Sequence, residues 1–168
     1  MKQSHGRGTV VRNGLKKVVQ KGIGQKLNVN SKNSLKKMNI AMIGSPNYEN
    51  VRKLRDFLFT IKQNFGTDVN IITRGNKDGC EKYIRKYAIE FGFRYTEYNP
   101  ASTTRNLYSG MTNEYYSKPF HPTQTLHQYD CIVKHADKMF YFGGIKLSEQ
   151  KHFERLLERY KKKVMYLD

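Results

Sequence analysis

Beyond residue 38 the apolar positions of this chain alternate between short continuous runs and helix-spaced stripes. Residues 40–43 (Ile-Ala-Met-Ile) are an unbroken apolar run closed by Gly44-Ser45-Pro46-Asn47, the pattern of a buried strand ending in a turn. In 49–65, Val51, Leu54, Phe57, Leu58, Ile61 and Phe65 fall at offsets 0, 3, 6, 7, 10 and 14, one face of a helix that Gly66 stops. A second strand, Val69–Thr73, leads into Gly75-Asn76-Lys77-Asp78-Gly79. A helix over about 78–91 then carries Cys80, Ile84, Tyr87, Ala88 and Phe91 on one face, with Asp78 as N-cap. A third strand covers 93–98 and is closed by Asn99-Pro100. Residues 101–123 show no period. A third helix follows over Gln124–His135, a fourth strand over Lys138–Phe142, and the turn Gly143-Gly144. The last helix runs from Glu149 to about Lys162, with Ser148 as N-cap and Glu149 favouring the dipole. Val164–Leu167 forms the last strand.

Five strands alternating with four helices predict an α/β fold: a Rossmann-like three-layer sandwich with helices on both faces of a parallel sheet. Right-handed crossovers and the long third connection give the strand order 3-2-1-4-5. The switch point then lies between strands one and four, so 44–47 and Gly143-Gly144 are expected to face each other across a crevice.

Charge divides the chain. Residues 1–38 hold ten Lys or Arg and no acid, whereas the other 130 hold 21 basic and 14 acidic side chains. We therefore divide it into an extended basic N-terminal arm, 1–38, and an α/β domain, 39–168, in which 99–123 is a lid-like insertion. The arm has too little apolar surface to offset chain entropy. Two cysteines and no apolar signal segment indicate a reducing, cytoplasmic compartment, and no apolar run is long enough to cross a membrane.

Backbone amides at strand-to-helix turns, backed by a helix dipole, suit an anion. The expected ligand-binding residues are thus Gly44, Ser45, Asn47, Gly75, Lys77, Gly79, Gly143 and Gly144. The chain has neither a G-x-G-x-x-G fingerprint nor a Walker sequence, so no cofactor is identified beyond a nucleotide-derived ligand. Glu81, in the first turn of the second helix, is the acid placed nearest the second loop, and the dipole alone accounts for it equally well. Residues 95–129 interleave Tyr95, Tyr98, Tyr108, Tyr115, Tyr116, Phe120 and Tyr129 with Arg105, Lys118, His121 and His127. Such a segment either covers a base as a lid or packs its tyrosines over the sheet edge. His127, Cys131 and His135 form a stripe at i, i+4 and i+8 that we place away from the core, as polar surface rather than a metal site.

Ile43-Gly44-Ser45-Pro46, the stretch from Thr73-Arg74-Gly75 to Gly79-Cys80-Glu81, Tyr87-Ala88 and Ala136-Asp137 together resemble the YspA/YpsA-related branch of the SLOG superfamily. Across 39–168 they follow its order of strand-G-S-R, glycine-rich loop and helix, Y-A, and A-D before the fourth strand. Pro46 stands where that branch has arginine, Asn76 replaces its second glycine, and His127-Gln128 stands where an Arg-Asn pair would begin the third helix. Gly143-Gly144-Ile145-Lys146-Leu147 lacks the P-G-G-x-G-T-x-x-E of the related phosphoribohydrolases. The resemblance implies a Rossmann-like fold and a nucleotide-derived ligand, and for an enzyme, N-glycosidic hydrolysis with Glu81 as candidate acid/base. The alternative is a nucleic-acid-binding or assembly protein. Its partner, nucleic acid or an acidic protein surface, would be held by Arg7, Arg12, Lys16, Lys17, Lys21, Lys26, Lys36 and Lys37.

Overall fold

The structure is a computed structural model that describes residues 37–168; the arm cations Arg7, Arg12, Lys16, Lys17, Lys21, Lys26 and Lys36 lie outside the described residues. The elements follow in the order β1 (Met38–Gly44), α1 (Val51–Phe65), β2 (Val69–Thr73), α2 (Cys80–Glu90) and β3 (Arg94–Glu97). A single 3-10 turn (Asn113–Tyr115) precedes α3 (Gln124–His135), β4 (Lys138–Phe142), α4 (Leu147–Arg159) and β5 (Val164–Leu167). The strands form one sheet of order β3-β2-β1-β4-β5, parallel at every pairing. The expected topology is therefore the observed one.

β1 is central and buried on both faces, which is why it reads as an unbroken apolar run rather than an alternation. Ile40 and Met42 point into one core with Leu54, Leu58 and Ile61 of α1 and Ile84 and Ala88 of α2. Ala41 and Ile43 point into the other, with Tyr129, Ile132 and Val133 of α3 and Phe153 and Leu156 of α4. A fully buried side chain of this size contributes about 1.5–3 kcal/mol. A one-residue slip of β1 would exchange the two sets, so the register is strongly fixed.

The helix starts differ from expectation. Asn50 caps α1 by accepting from the Lys53 amide at 3.0 Å. Helix α2 begins behind Gly79 rather than Asp78, and α4 behind Lys146 rather than Ser148, neither with a side-chain cap. Before α2 the turn is held by close packing of Gly79 on Pro46 backbone instead of by a capping hydroxyl or carboxylate.

Segment 99–123 lies along the outer edge of β3. The Glu97 amide donates to the Tyr108 carbonyl and the Gly110 amide to the Glu97 carbonyl, both at 2.8 Å, so Ser109 pairs with Glu97 as a parallel bridge. This covers an edge that would otherwise present unpaired backbone groups. Tyr95, Tyr98, Tyr116 and Tyr129 are buried and Phe120 is exposed. Tyr108 meets Tyr95 edge-on at 5.4 Å. Cys131 corrects the expectation of an outward stripe: it is buried in the second core, 3.9 Å from Met111 Sδ, because the insertion covers this side of α3. His127 and His135 stay exposed on either side of it. Among the described residues no group of three or more His, Cys, Asp or Glu could hold a metal ion, and no helix is long and apolar enough to cross a membrane.

Candidate functional site

At the carboxyl ends of β1, β2 and β4, where the strand order reverses, lies a cavity of about 280 Å³. Open parallel sheets form such a crevice because the connections from neighbouring strands leave in opposite directions. Arg74, the residue after β2, forms part of its lining and is 4% exposed. Its Nε donates to Glu81 Oε1 at 2.7 Å, Nη1 to the Tyr129 hydroxyl at 2.8 Å, and Nη2 to the Gly44 carbonyl at 2.7 Å. One planar fork thus ties the ends of β1 and β2 to α2 and α3. The Tyr129 hydroxyl in turn donates to Glu149 Oε2 at 2.9 Å, which brings in α4. Burial disfavours the Arg74 charge, but Glu81 and the other partners outweigh it and hold the guanidinium above its ordinary value. Burial raises Tyr129 and Tyr141, keeping both phenols neutral.

The rest of the lining carries chemistry of both signs. Lys77, Asp78 and Asn76 come from the turn before α2, Thr125 and Gln128 from α3, Tyr141 from β4, and Lys146 and Glu149 from the start of α4. Gln128 is fixed by donating to the Arg74 carbonyl at 2.9 Å. On the other side of the 75–77 turn a second cavity, of about 380 Å³, is walled by residues of the insertion, Asn99, Pro100, Thr103, Thr104 and Asn106, with Arg85 and the buried Glu97. Gly75, Asn76 and Lys77 belong to it as well. Lys77 thus stands between two polar cavities.

The residues expected to bind a ligand divide into two groups. Lys77 lines both cavities and Gly75 the second. The other glycines mainly permit close approach of protein to protein. A Cβ on Gly79, at φ +67°, would meet Pro46 backbone at 2.4 Å, and one on Gly44 would meet the Phe142 carbonyl oxygen at 2.5 Å and Cys80 Sγ at 2.6 Å. Gly143, at φ +74°, approaches Ser45 and Tyr48 as expected across the switch point, whereas a Cβ on Gly144 would meet nothing within 4 Å.

Several turn amides are already used. Ser45 donates to Phe142, Tyr48 to Ser45 and Gly143 to Leu167, each backbone to backbone. Asn47 donates to Ser45 Oγ at 3.2 Å, Gly75 to Thr73 Oγ1 at 3.0 Å, and Asn76 to Glu81 Oε2 at 3.2 Å. Both oxygens of Glu81 are therefore engaged, and the residue is 1% exposed. Lys37, the described member of the arm set, is exposed just before β1.

Arg74, Gln128, Tyr141 and Glu149 are not among the residues the sequence puts forward for the site, and Tyr129, put forward as one aromatic of a lid, bonds Arg74 instead. One signal was present: an arginine directly after an apolar strand sits at the carboxyl edge of a parallel sheet, where ligands gather.

Fold and crevice together define an open, doubly wound, Rossmann-like α/β domain. No family model matches the chain and no curated protein matches it in sequence. Among solved structures, DNA processing protein A from Helicobacter pylori, described for a unique single-stranded DNA binding mode, is similar with a TM-score of 0.57 at 16% identity. The match covers 79% of this chain and 66% of that one, so this chain spans about two thirds of its length. At such identity the likeness is one of fold.

Proposed function

We propose that the domain binds a nucleotide unit in the switch-point cavity. The observation that carries this reading is the juxtaposition of Lys77 and Lys146 with Glu149 and Asp78 around one polar cavity of about 280 Å³. The two ammonium groups suit a phosphate, and the carboxylates accept from ribose hydroxyls. Because the Ser45, Asn47, Gly75, Asn76 and Gly143 amides are bonded within the protein, the Lys77 and Lys146 side chains rather than those amides hold the anion. Glu81 acts here by positioning Arg74, whose three fixed hydrogen bonds keep the floor of the cavity rigid.

A thermal-shift titration of the full chain with nucleoside mono- and diphosphates and nucleotide sugars tests this reading. A ligand at ten times its Kd adds about 1.4 kcal/mol of stability. Lys77→Ala with Lys146→Ala should abolish the shift. No stabilisation across the panel at millimolar concentration would overturn it.

A second reading is supported by the ten cations and no acids of residues 1–38 and by the fold shared with a single-stranded DNA binding protein. In it the chain binds nucleic acid through its cations, with affinity that falls steeply as salt rises. Anisotropy of a labelled oligonucleotide with the full chain across a salt series tests it. Absence of binding at low salt would refute it.

A further inference from the structure

The end of the sheet opposite the crevice carries an apolar shelf that, among the described residues, helix α1 covers only in part. On β4, Met139 and Tyr141 belong to the core shared with α3 and α4, so Lys138 and Phe140 face the side of α1. Helix α1 reaches that far: Phe57 packs edge-on against Phe140 at 4.8 Å, and Lys138 Nζ lies 4.6 Å from the Phe65 ring centroid. Met165, the register partner of Phe140, is 57% exposed. By the two-residue period of a strand, Lys163 stands beside Lys138 as Met165 stands beside Phe140. With Lys161 and Lys162 these residues line an open groove of about 650 Å³. Lys162 is spoken for, since its Nζ donates to the Ala136 carbonyl at 2.6 Å. Lys138, Lys161 and Lys163 are exposed. The acid of the groove is Asp137, whose carboxylate accepts from the Asn39 amide at 2.9 Å.

We propose that this shelf binds single-stranded nucleic acid, with bases on Phe140 and Met165 and phosphates on Lys138, Lys161 and Lys163. The proposal rests on the nucleic-acid reading above and assigns it a surface within the domain. Cationic side chains on both sides of an apolar bed match a strand whose bases are unpaired and whose backbone is charged. A duplex offers no base faces to an apolar shelf. A second copy of the chain would bring like charges together. Asn39, on β1, is bonded to Asp137 in the groove wall.

The test uses the full chain and a fluorescein-labelled oligo-dT in a salt series. Lys138→Gln, Lys161→Gln and Lys163→Gln together should weaken binding at low salt about tenfold and flatten the log–log salt slope by about 2, since each single-strand phosphate contact contributes about 0.7. Lys53→Gln with Lys86→Gln and Lys151→Gln, exposed on the helices, removes equal charge elsewhere and should have a clearly smaller effect. Equal loss in both triple variants overturns the shelf while leaving the nucleic-acid reading standing. Absence of oligonucleotide binding by the unaltered chain overturns both. Acetylation footprinting of the unaltered chain gives an answer independent of the variants' folding: oligo-dT should shield Lys138 and Lys163 more than Lys53. Uniform reactivity, as expected if an acidic protein is the true partner, refutes the proposal.

Discussion

Arg74 sits where β2 ends, and its fork reaches a carboxylate, a phenol and a backbone carbonyl from three other segments. Removing one side of a buried ion pair strands the other charge. Arg74→Ala should therefore cost about 3–5 kcal/mol, read by urea denaturation. Arg74→Lys should recover only part of this, because one ammonium cannot reproduce three diverging donors. Cys80 gives a second residue-scale expectation. Burial, with Glu81 nearby, pushes its thiol up to about 12. In the unfolded chain the thiol ionises first, so the stability this group contributes is complete below the ordinary thiol range and is lost as pH rises from there towards about 12. A thiol reagent at pH 8 should find Cys80 unreactive in the folded protein and reactive in denaturant; rapid labelling without denaturant would contradict the burial.

At the scale of elements, the turns before α2 and after β1 lock together, and glycine is required by that contact. Gly66 and Gly79 both have positive φ, but a Cβ at Gly66 meets nothing within 4 Å whereas one at Gly79 runs into Pro46 backbone. Gly66→Ala should cost about 1 kcal/mol of backbone strain. Gly79→Ala should cost that and about 1–3 kcal/mol more for the clash; equal effects in denaturation would show that the turns do not bear on each other. The periods that mark α1, α2 and the strands were legible, since each element must present apolar residues to a core at its own spacing. Helix starts were less so. Ser148 has the right chemistry for a cap, yet α4 begins behind Lys146 and Ser148 lies within its first turn.

Across the whole molecule the two proposed surfaces occupy opposite ends of five-residue strands, roughly 17 Å of strand apart. The crevice balances its lysines with Glu149 and Asp78, whereas the groove beside β5 sets four lysines against Asp137. A nucleotide at saturation should thus leave oligonucleotide affinity within about twofold, because opposed sites lie beyond one Debye length at ordinary ionic strength. Full competition in an anisotropy displacement assay would place both ligands in one site.

The sequence by itself determined the strand order, because alternating apolar periods and one long connection leave few ways to wind a right-handed parallel sheet. It also determined the location of the crevice and the division of charge at residue 38. Only the tertiary structure decided which groups occupy that crevice. Arg74, Tyr129 and Glu149 are far apart in the chain and meet because β2, α3 and α4 converge there. The same convergence brought Gly79 against Pro46 backbone and Gly44 against the Phe142 carbonyl, and carried Cys131 from an outward stripe into the core beside Met111. Spacing along one element says which face a residue shares; which neighbour covers that face depends on packing across the sheet.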